Sequence, residues 1–445
     1  MKKEPVSLIF MILCFAVCVT ASLGMLLFGP AQPKANERLA AAPKLQSDEG
    51  LNFAFLSDLS SYVSDRFFPR QALITARNSL RAKLGGPAEA DVIAGRGGWL
   101  YYAQTLDDYT GVGAMTPAEL ASAARNLSLM QEYCDARDIS FLFVPVPNKN
   151  SLYDAAMPDV GAKAEEHSAR RLLRLLEDSG VRSLDLFALF RAQPEPLYFA
   201  HDSHWNARGA ALAADAINTA LGRSSAYFSA AFVEETPHTG DLFEMRYPAG
   251  HDPETDPVYP EPLRYERAGT DTRPDSITIN TTGSGEGSLL MFRDSFGNSL
   301  YPYLADSFAA ARFSRATTYN LSQAEQLGSS CVVVELVERN LRYLLNFCPV
   351  MPAPARDLTL PAPGPETVTL LTPEGQAAPE GCVLYRGVLP ERFAGAPVYL
   401  ICGDAAYEAF TGGDGSFQAF LPEGQTPTLA AAYAAQAMTV FQTIQ

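Results

Sequence analysis

None of the seven cysteines stands in a C-x-x-C pair, so zinc-finger and thioredoxin-like sites have no support. Positive charge is scarce too, with 34 Lys and Arg against 50 Asp and Glu, a net charge of −16. Neutralising phosphates needs the opposite balance, which argues against nucleic acid as a partner. No internal repeat of solenoid type is present, which removes stacked-repeat architectures. What is there is a core-forming composition, 47 % apolar and 19 % charged, unlike a disordered chain. The 445 residues leave room for about two to three domains.

Lys2 and Lys3 precede an apolar run from Val6 to about Phe28 that contains no charge. That length suffices to cross a hydrocarbon core of roughly 30 Å. A cleavable signal peptide has a shorter apolar stretch, of about 7–15 residues. Residues 1–30 are therefore expected to be an uncleaved anchor, with lysines inside and the rest of the chain extracytoplasmic. Two cysteines lie in this segment. Of the other five, Cys382 and Cys402 fall in strand-like runs of one region, and two readings stand for them: a disulfide outside the cell, or buried free thiols.

Residues 31–85 read as a linker and a juxtamembrane helical arm, with two helices broken at Pro69. Glycines and aromatics between Val92 and Tyr102 predict a hairpin. Thr116-Pro117-Ala118-Glu119 marks a helix start, and the helix is expected to run to about Ala136. Phe141–Val144, Leu197–Phe199, Ser288–Phe292 and Val332–Val334 read as short strands. Helices are predicted at Glu165–Asp178, Ala207–Leu221 and Phe296–Phe308. This alternation predicts an α/β domain over residues 86–350, a mostly parallel sheet with helices on both faces. Met351–Pro365 is Pro-rich and reads as a hinge. Residues 355–445 carry short β-like runs expected to form a small β-sandwich, and the last eighteen residues fit helix or strand.

Two segments carry chemistry. In Leu289-Leu290-Met291-Phe292-Arg293-Asp294-Ser295-Phe296-Gly297 a serine follows a buried strand and opens a helix. Such a serine sits at the carboxyl edge of the sheet, with its own N–H placed for an oxyanion; a plain N-cap is the other reading. In His201-Asp202-Ser203-His204-Trp205-Asn206, His204 supplies a base in the right titration range. Asp202, two residues away, projects from the same face of extended backbone, where it would fix the imidazole tautomer. A metal reading lacks a third converging ligand, with His238 and Asp241 the only neighbours of the right type. Neither a metal nor a cofactor is expected.

The D-x-H-W segment with Asn206 and Gly209-Ala210, followed about ninety residues later by Arg293-Asp294-Ser295-Phe296, resembles the DHHW proteins. It is also similar to the SGNH-hydrolase-like domain of the alginate O-acetylation proteins AlgJ and AlgX. Gly95–Tyr101, Pro147-Asn148-Lys149-Asn150-Ser151-Leu152-Tyr153 and Val337-Glu338-Arg339-Asn340-Leu341 agree with it, so the resemblance spans about residues 50–350. It implies an SGNH-like fold and a serine–histidine–aspartate triad falling on Ser295, His204 and Asp202. Ser203 replaces the second histidine of the motif, and Arg293 stands where a glycine is usual. Tyr301 matches a tyrosine near the family's active site, and core packing is its other reading. Asn148 is a weaker oxyanion candidate from the end of a strand, with Arg293 grouped beside it.

The resemblance implies an O-acetyltransferase acting on a cell-surface polysaccharide through an acyl-serine, partnered by a membrane-bound O-acyltransferase. Two alternatives keep part of this reading: an acetyl-esterase using the same triad, and a non-catalytic glycan-binding scaffold.

Overall fold

The computed structural model describes residues 39–47, 50–84, 91–373, 375, 377–434 and 437–444, with scattered residues among the first 29. The expected anchor, residues 1–30, lies for the most part outside the described residues. Among those described, no helix is long and apolar enough to cross a membrane.

The arm consists of α1 (Phe55–Arg66) and α2 (Arg70–Lys83), with the break at Pro69, where a residue without an N–H cannot continue the helix ladder. Buried Asn78 of α2 donates from Nδ2 to the Arg246 carbonyl at 2.7 Å and ties the arm to the body. The hairpin of β1 (Val92–Ala94) and β2 (Leu100–Tyr102) turns through Gly97 and Gly98, both at positive φ. Helix α3 (Pro117–Asp135) begins with a capping box: the Glu119 amide donates to Thr116 Oγ1 at 3.2 Å, and the Thr116 amide to Glu119 Oε2 at 2.7 Å.

The body continues with β3 (Ser140–Val146), α4 (Ser168–Ser179), α5 (Ala207–Ala220), β4 (Val233–His238) and β5 (Glu254–Val258). Then come β6 (Tyr265–Arg267), β7 (Thr278–Gly283), β8 (Ser288–Phe292), α6 (Gly297–Ser307), β9 (Ala310–Ser314) and β10 (Cys331–Val337). One six-stranded sheet has the order β3-β10-β8-β9-β7-β6. Strands β3, β10, β8 and β9 are parallel, and β7 and β6 add antiparallel edges. Both faces are covered, which is why these strands read as unbroken apolar runs. Phe141, Phe143, Leu290, Phe292, Val332 and Val334 pack toward α3 and α4. Leu142, Val144, Leu289, Met291 and Val333 pack with residues of α5 and α6 on the other face. Because β3, β10 and β8 run in parallel side by side, the turns holding Asn148, Glu338 and Ser295 all leave the same sheet edge.

Leu197–Phe199 is not a strand of this sheet. Tyr198 forms only an isolated bridge with Trp205, so the residues between them make a closed loop instead of a strand end. Ser295 likewise precedes the helix without capping it: α6 starts at Gly297, and Phe296 occupies the cap position.

The C-terminal region departs from the sandwich expectation. Strands β11 (Ala355–Arg356), β12 (Thr367–Thr369), β13 (Cys382–Val388), β14 (Val398–Cys402), β15 (Ala405–Thr411), β16 (Ser416–Pro422), β17 (Leu429–Ala434) and β18 (Ala437–Ile444) make one sheet. Its order is β12-β18-β17-β14-β15-β16-β13, with β11 on β15. A bridge between Leu371 and Arg386 brings the two ends of this sheet together. Alternation of small with large residues inside permits that tight curl, as in Ala409, Ala419, Ala430 and Ala432 beside Tyr385, Leu400, Phe417 and Phe441. The disulfide reading of Cys382 and Cys402 is not realised. They sit on β13 and β14, with β15 and β16 between, and all five described cysteines are free. Met351–Pro365 is no hinge either, since Met351 and Ala353 are buried and Leu358 and Leu360 cover the outer face of the sheet.

This sheet is clamped onto α3. The Glu408 side chain is 0 % exposed and receives Arg125 Nε and Nη2 at 2.5 Å each and Arg356 Nε at 2.7 Å. Beside it Asn126 Nδ2 donates to the carbonyls of Leu344 and Thr411. Removing the buried Glu408 leaves Arg125 without its carboxylate, while Arg356 keeps Glu132; both guanidiniums are partly exposed, so the lost charge-assisted hydrogen bonds cost about 1.5–3 kcal/mol. Glu408→Ala is expected to lower the free energy of urea unfolding by that amount. A change below about 0.5 kcal/mol, the scale of a neutral surface substitution, would show that the clamp does not hold the two layers together.

Candidate active site

Asp202 is buried, 4 % exposed, and each of its carboxylate oxygens takes two donors. Oδ1 accepts His204 Nδ1–H at 2.7 Å and the His204 amide at 2.9 Å. Oδ2 accepts His238 Nε2–H at 2.8 Å and the Asp241 amide at 3.0 Å. Burial alone would raise the pKa of this carboxyl, but its bonds to the two histidines outweigh that and hold it well below the usual range. With Nδ1 committed to Asp202, His204 offers the Nε2 lone pair to the Ser295 hydroxyl at 2.8 Å. The structure thus brings Ser295, His204 and Asp202 into one chain of hydrogen bonds. Burial opposes charging of His204, yet the Asp202 bond and charge prevail and its pKa lies above the ordinary value.

The loop carrying Asp202 and His204 is held from all sides. Lys149, buried in the turn after β3, donates Nζ to the carbonyls of Phe199 (3.1 Å), Ala200 (3.0 Å) and Asp202 (2.6 Å). Burial pushes its pKa down to about 7 against the pull of Asp202, Asp241 and Glu254. Three carbonyl acceptors at these distances call for three N–H donors, so the geometry favours the ammonium form. Glu254 on β5 accepts the amides of Ala200 and His201, each at 2.7 Å. Asp241 accepts the Ser203 amide at 2.7 Å and the Ser203 hydroxyl at 2.6 Å, so Ser203 serves to pin the loop. Trp205 donates Nε1–H to Ser299 Oγ at 2.8 Å and packs edge-on against Phe296. It therefore joins the histidine loop to the start of α6. Asn206 Oδ1 accepts the Gly209 amide at 3.0 Å and opens α5.

Ser295 is braced from the other side. Asp294 Oδ1 accepts the Phe296 amide at 2.9 Å, and Oδ2 accepts the Val337 amide at 2.8 Å. Gly297 has a packing reason, because a Cβ there would sit 2.4 Å from Cδ of Arg293. Arg293 itself is buried. Its guanidinium donates to Asn298 Oδ1 at 2.6 Å and the Pro274 carbonyl at 2.7 Å, and burial lowers its pKa to about 10. It is a brace beneath the serine turn and does not reach the His204–Ser295 pair. Tyr301 is 6 % exposed and packs against Tyr265 and Phe313, which is the core-packing reading. Asn148 donates its amide N–H to Glu338 Oε2 at 3.0 Å, while its buried side-chain Oδ1 has no hydrogen-bond partner among the described residues. Glu338 also takes the Ser151 hydroxyl and lies 3.2 Å from His167 Nδ1, a brace under the Asn148 turn. No hydrogen bond engages the Ser295 amide among the described residues.

Asp241 does converge with Asp202 and His204 into a set of metal-ligand type, which the sequence spacing did not place together. The atoms concerned are already engaged: Asp202 has four donors, both Asp241 oxygens serve Ser203, and His204 Nδ1 carries the proton shared with Asp202. The cluster reads as hydrogen-bonded rather than metal-binding. Lys149, Asp241, His238 and Glu254 are the site residues that sequence reasoning left without a role. The signal for Lys149 was its place in P-N-K-N directly after a buried strand. Nothing local marked Glu254.

Residues 92–284, within this α/β domain, match the family model described as SGNH hydrolase-like domain, acetyltransferase AlgX. That match includes Asp202, His204 and His238 and ends before Ser295. No curated protein matches the chain. Among solved structures, a DHHW family protein from Eubacterium siraeum DSM 15702 is 18 % identical, covering 60 % of this chain and 100 % of its own, with a TM-score of 0.44. Bacillus cereus PatB1 with a sulfonyl adduct is 15 % identical over 55 % of this chain and 92 % of its own, TM-score 0.43. The O-acetyltransferase domain of Pseudomonas putida AlgJ is 17 % identical over 56 % and 91 %, TM-score 0.38.

Replacing Lys149 by Met keeps the stem and removes all three donors, leaving the Phe199 and Asp202 carbonyls unsatisfied while the Ala200 carbonyl keeps the Leu100 amide. Lys149→Met is expected to cost about 3 kcal/mol in urea unfolding and to broaden the resonances of the 199–204 loop. Full retention of both would show that the loop does not depend on this ammonium.

Proposed function

We propose that this chain is an extracytoplasmic acyltransferase that moves an acetyl group onto a hydroxyl of a cell-surface polysaccharide through an acyl-serine. The observation that carries the reading is the Ser295 Oγ to His204 Nε2 contact of 2.8 Å, with Nδ1 on Asp202. A serine hydroxyl becomes a competent nucleophile when a base takes its proton, and Asp202 selects the tautomer that can do so. In the first half-reaction Ser295 Oγ attacks the acyl carbonyl carbon as its proton passes to His204 Nε2. The oxyanion forms beside the unengaged Ser295 amide, with the Asn148 side-chain amide as a second candidate donor. Collapse expels the donor's heteroatom, which takes the proton from His204. A sugar hydroxyl then gives its proton to His204, attacks the acyl carbon and displaces Ser295, which is reprotonated.

The match of residues 92–284 to an acetyltransferase family model supports acetyl as the group, and the resemblance to the alginate O-acetylation proteins implies a glycan as the acceptor. The apolar run Val6–Phe28 behind Lys2 and Lys3 supports a single-span anchor, with the domains outside the cytoplasm. A membrane-bound O-acyltransferase would supply the acetyl donor on that side.

The test is intact mass spectrometry of the full-length chain after exposure to an activated acetyl ester, with turnover followed alongside. Wild type is expected to carry one acetyl adduct on Ser295, and Ser295→Ala none, with turnover lowered on the order of 10⁴- to 10⁶-fold. Unchanged turnover in Ser295→Ala would overturn the reading. The base must be neutral to accept a proton, so activity falls as pH drops through the His204 pKa. Because that pKa is raised, the midpoint of the rising limb is expected above about 6.5, the ordinary histidine value. A midpoint below that value would exclude His204 as the base.

A further inference from the structure

The Asp202 carboxylate faces two imidazoles. His204 Nδ1 binds one oxygen at 2.7 Å and His238 Nε2 binds the other at 2.8 Å. His238 ends β4, and its ring stacks on Phe199 with centroids 4.2 Å apart and planes 19° from parallel. The turn that follows packs directly on the Asp202 loop. Gly240 is required there, because a Cβ would lie 2.2 Å from the His201 carbonyl oxygen. The next residue, Asp241, gives its amide to the same Asp202 oxygen as His238. The second imidazole is thus aimed by two independent features, ring stacking on one side and a glycine-permitted close approach on the other.

We propose that His238 is a positioning residue, a second imidazole that shares the Asp202 carboxylate with His204 and thereby sets how strongly the candidate base holds its proton. This rests on the acyl-transfer reading for its catalytic consequence, though the sharing itself stands on geometry. A carboxylate that donates electron density to two N–H groups has less to offer each. Taking His238 away concentrates the charge of Asp202 on His204 and stabilises the imidazolium. His238 is about a third exposed, whereas Asp202 is nearly closed off, so His238 also couples the buried acid to the medium. The charged groups facing His238 are Asp202 across the bond, Asp256 and Glu254 on β5. Those facing His204 are Asp202, Asp241 and, with opposite sign, Arg339. Burial disfavours charging of His238, but Asp202 outweighs it, so the His238 pKa is raised as that of His204 is.

The test uses the full-length chain labelled with ¹⁵N at histidine, its five histidines assigned by single His→Gln changes, in wild type, His238→Gln and His238→Phe. Gln keeps a donor without a charge, and Phe keeps a ring for stacking without a donor. In His238→Phe the His204 titration midpoint and the rising limb of turnover are expected to move up together, on the order of one pH unit. His238→Gln should fall between. An unmoved His204 midpoint in His238→Phe overturns the proposal. So does a pH-independent loss of turnover that His238→Gln fails to restore, since that is the pattern of a merely structural role. The titration is read without any turnover, so a chain that forms no acyl adduct on Ser295 would defeat the acyl-transfer reading and leave this result legible.

Discussion

A negative charge enclosed in protein must be met by donors or it will take up a proton, and Asp202 meets that demand with four. Each donor belongs to a different part of the chain's work: one imidazole reaches Ser295, another ends a hairpin, and two backbone amides fix the turns on either side. The carboxylate therefore acts as the knot of the site. Lys149 adds a positive charge on the far side of the same loop, and Asp241 and Glu254 take three more of its amides. A six-residue loop with nearly all its polar backbone engaged is rigid enough to hold an imidazole where a hydroxyl can use it.

The sheet does the long-range part. Serine and histidine are separated by about ninety residues, and parallel strands with covering helices carry both to one edge. Trp205 then closes the gap locally, with its indole N–H on α6 and its ring against Phe296. The W of the D-x-H-W segment is thus a joint between two loops, and its near-total burial (1 % exposed) follows from that.

Much of this was legible in the residues. Strands covered on both faces read as apolar runs, and Ser288–Phe292 coincides with the observed strand. The capping signature at Thr116 and the caps at Asn206 are local and were readable for that reason. The spacing of Asp202 and His204 was enough to place acid and imidazole together. Other features depend on tertiary closure. Leu197–Phe199 is as apolar as a strand, yet it closes on Trp205 and never joins the sheet. The C-terminal runs alternate as sandwich strands do, and nothing local tells an open pair of sheets from one sheet curling on itself. His238, Asp241 and Glu254 act through a hairpin and turn whose packing on the 199–204 loop is set by a missing Cβ at Gly240. Tyr301 illustrates the reverse: it sits close to the serine in sequence, but helix geometry turns it into the core.

Helix α3 is a party wall. One of its faces lines the central sheet, and the other supplies Ser122, Arg125 and Asn126 to the curled C-terminal sheet. The C-terminal unit is therefore not an interchangeable cassette. A lineage that exchanged it for a module of different specificity would have to rewrite this helix in the same step, and variation on α3 should track variation around Glu408 and Thr411 more closely than anything near Ser295.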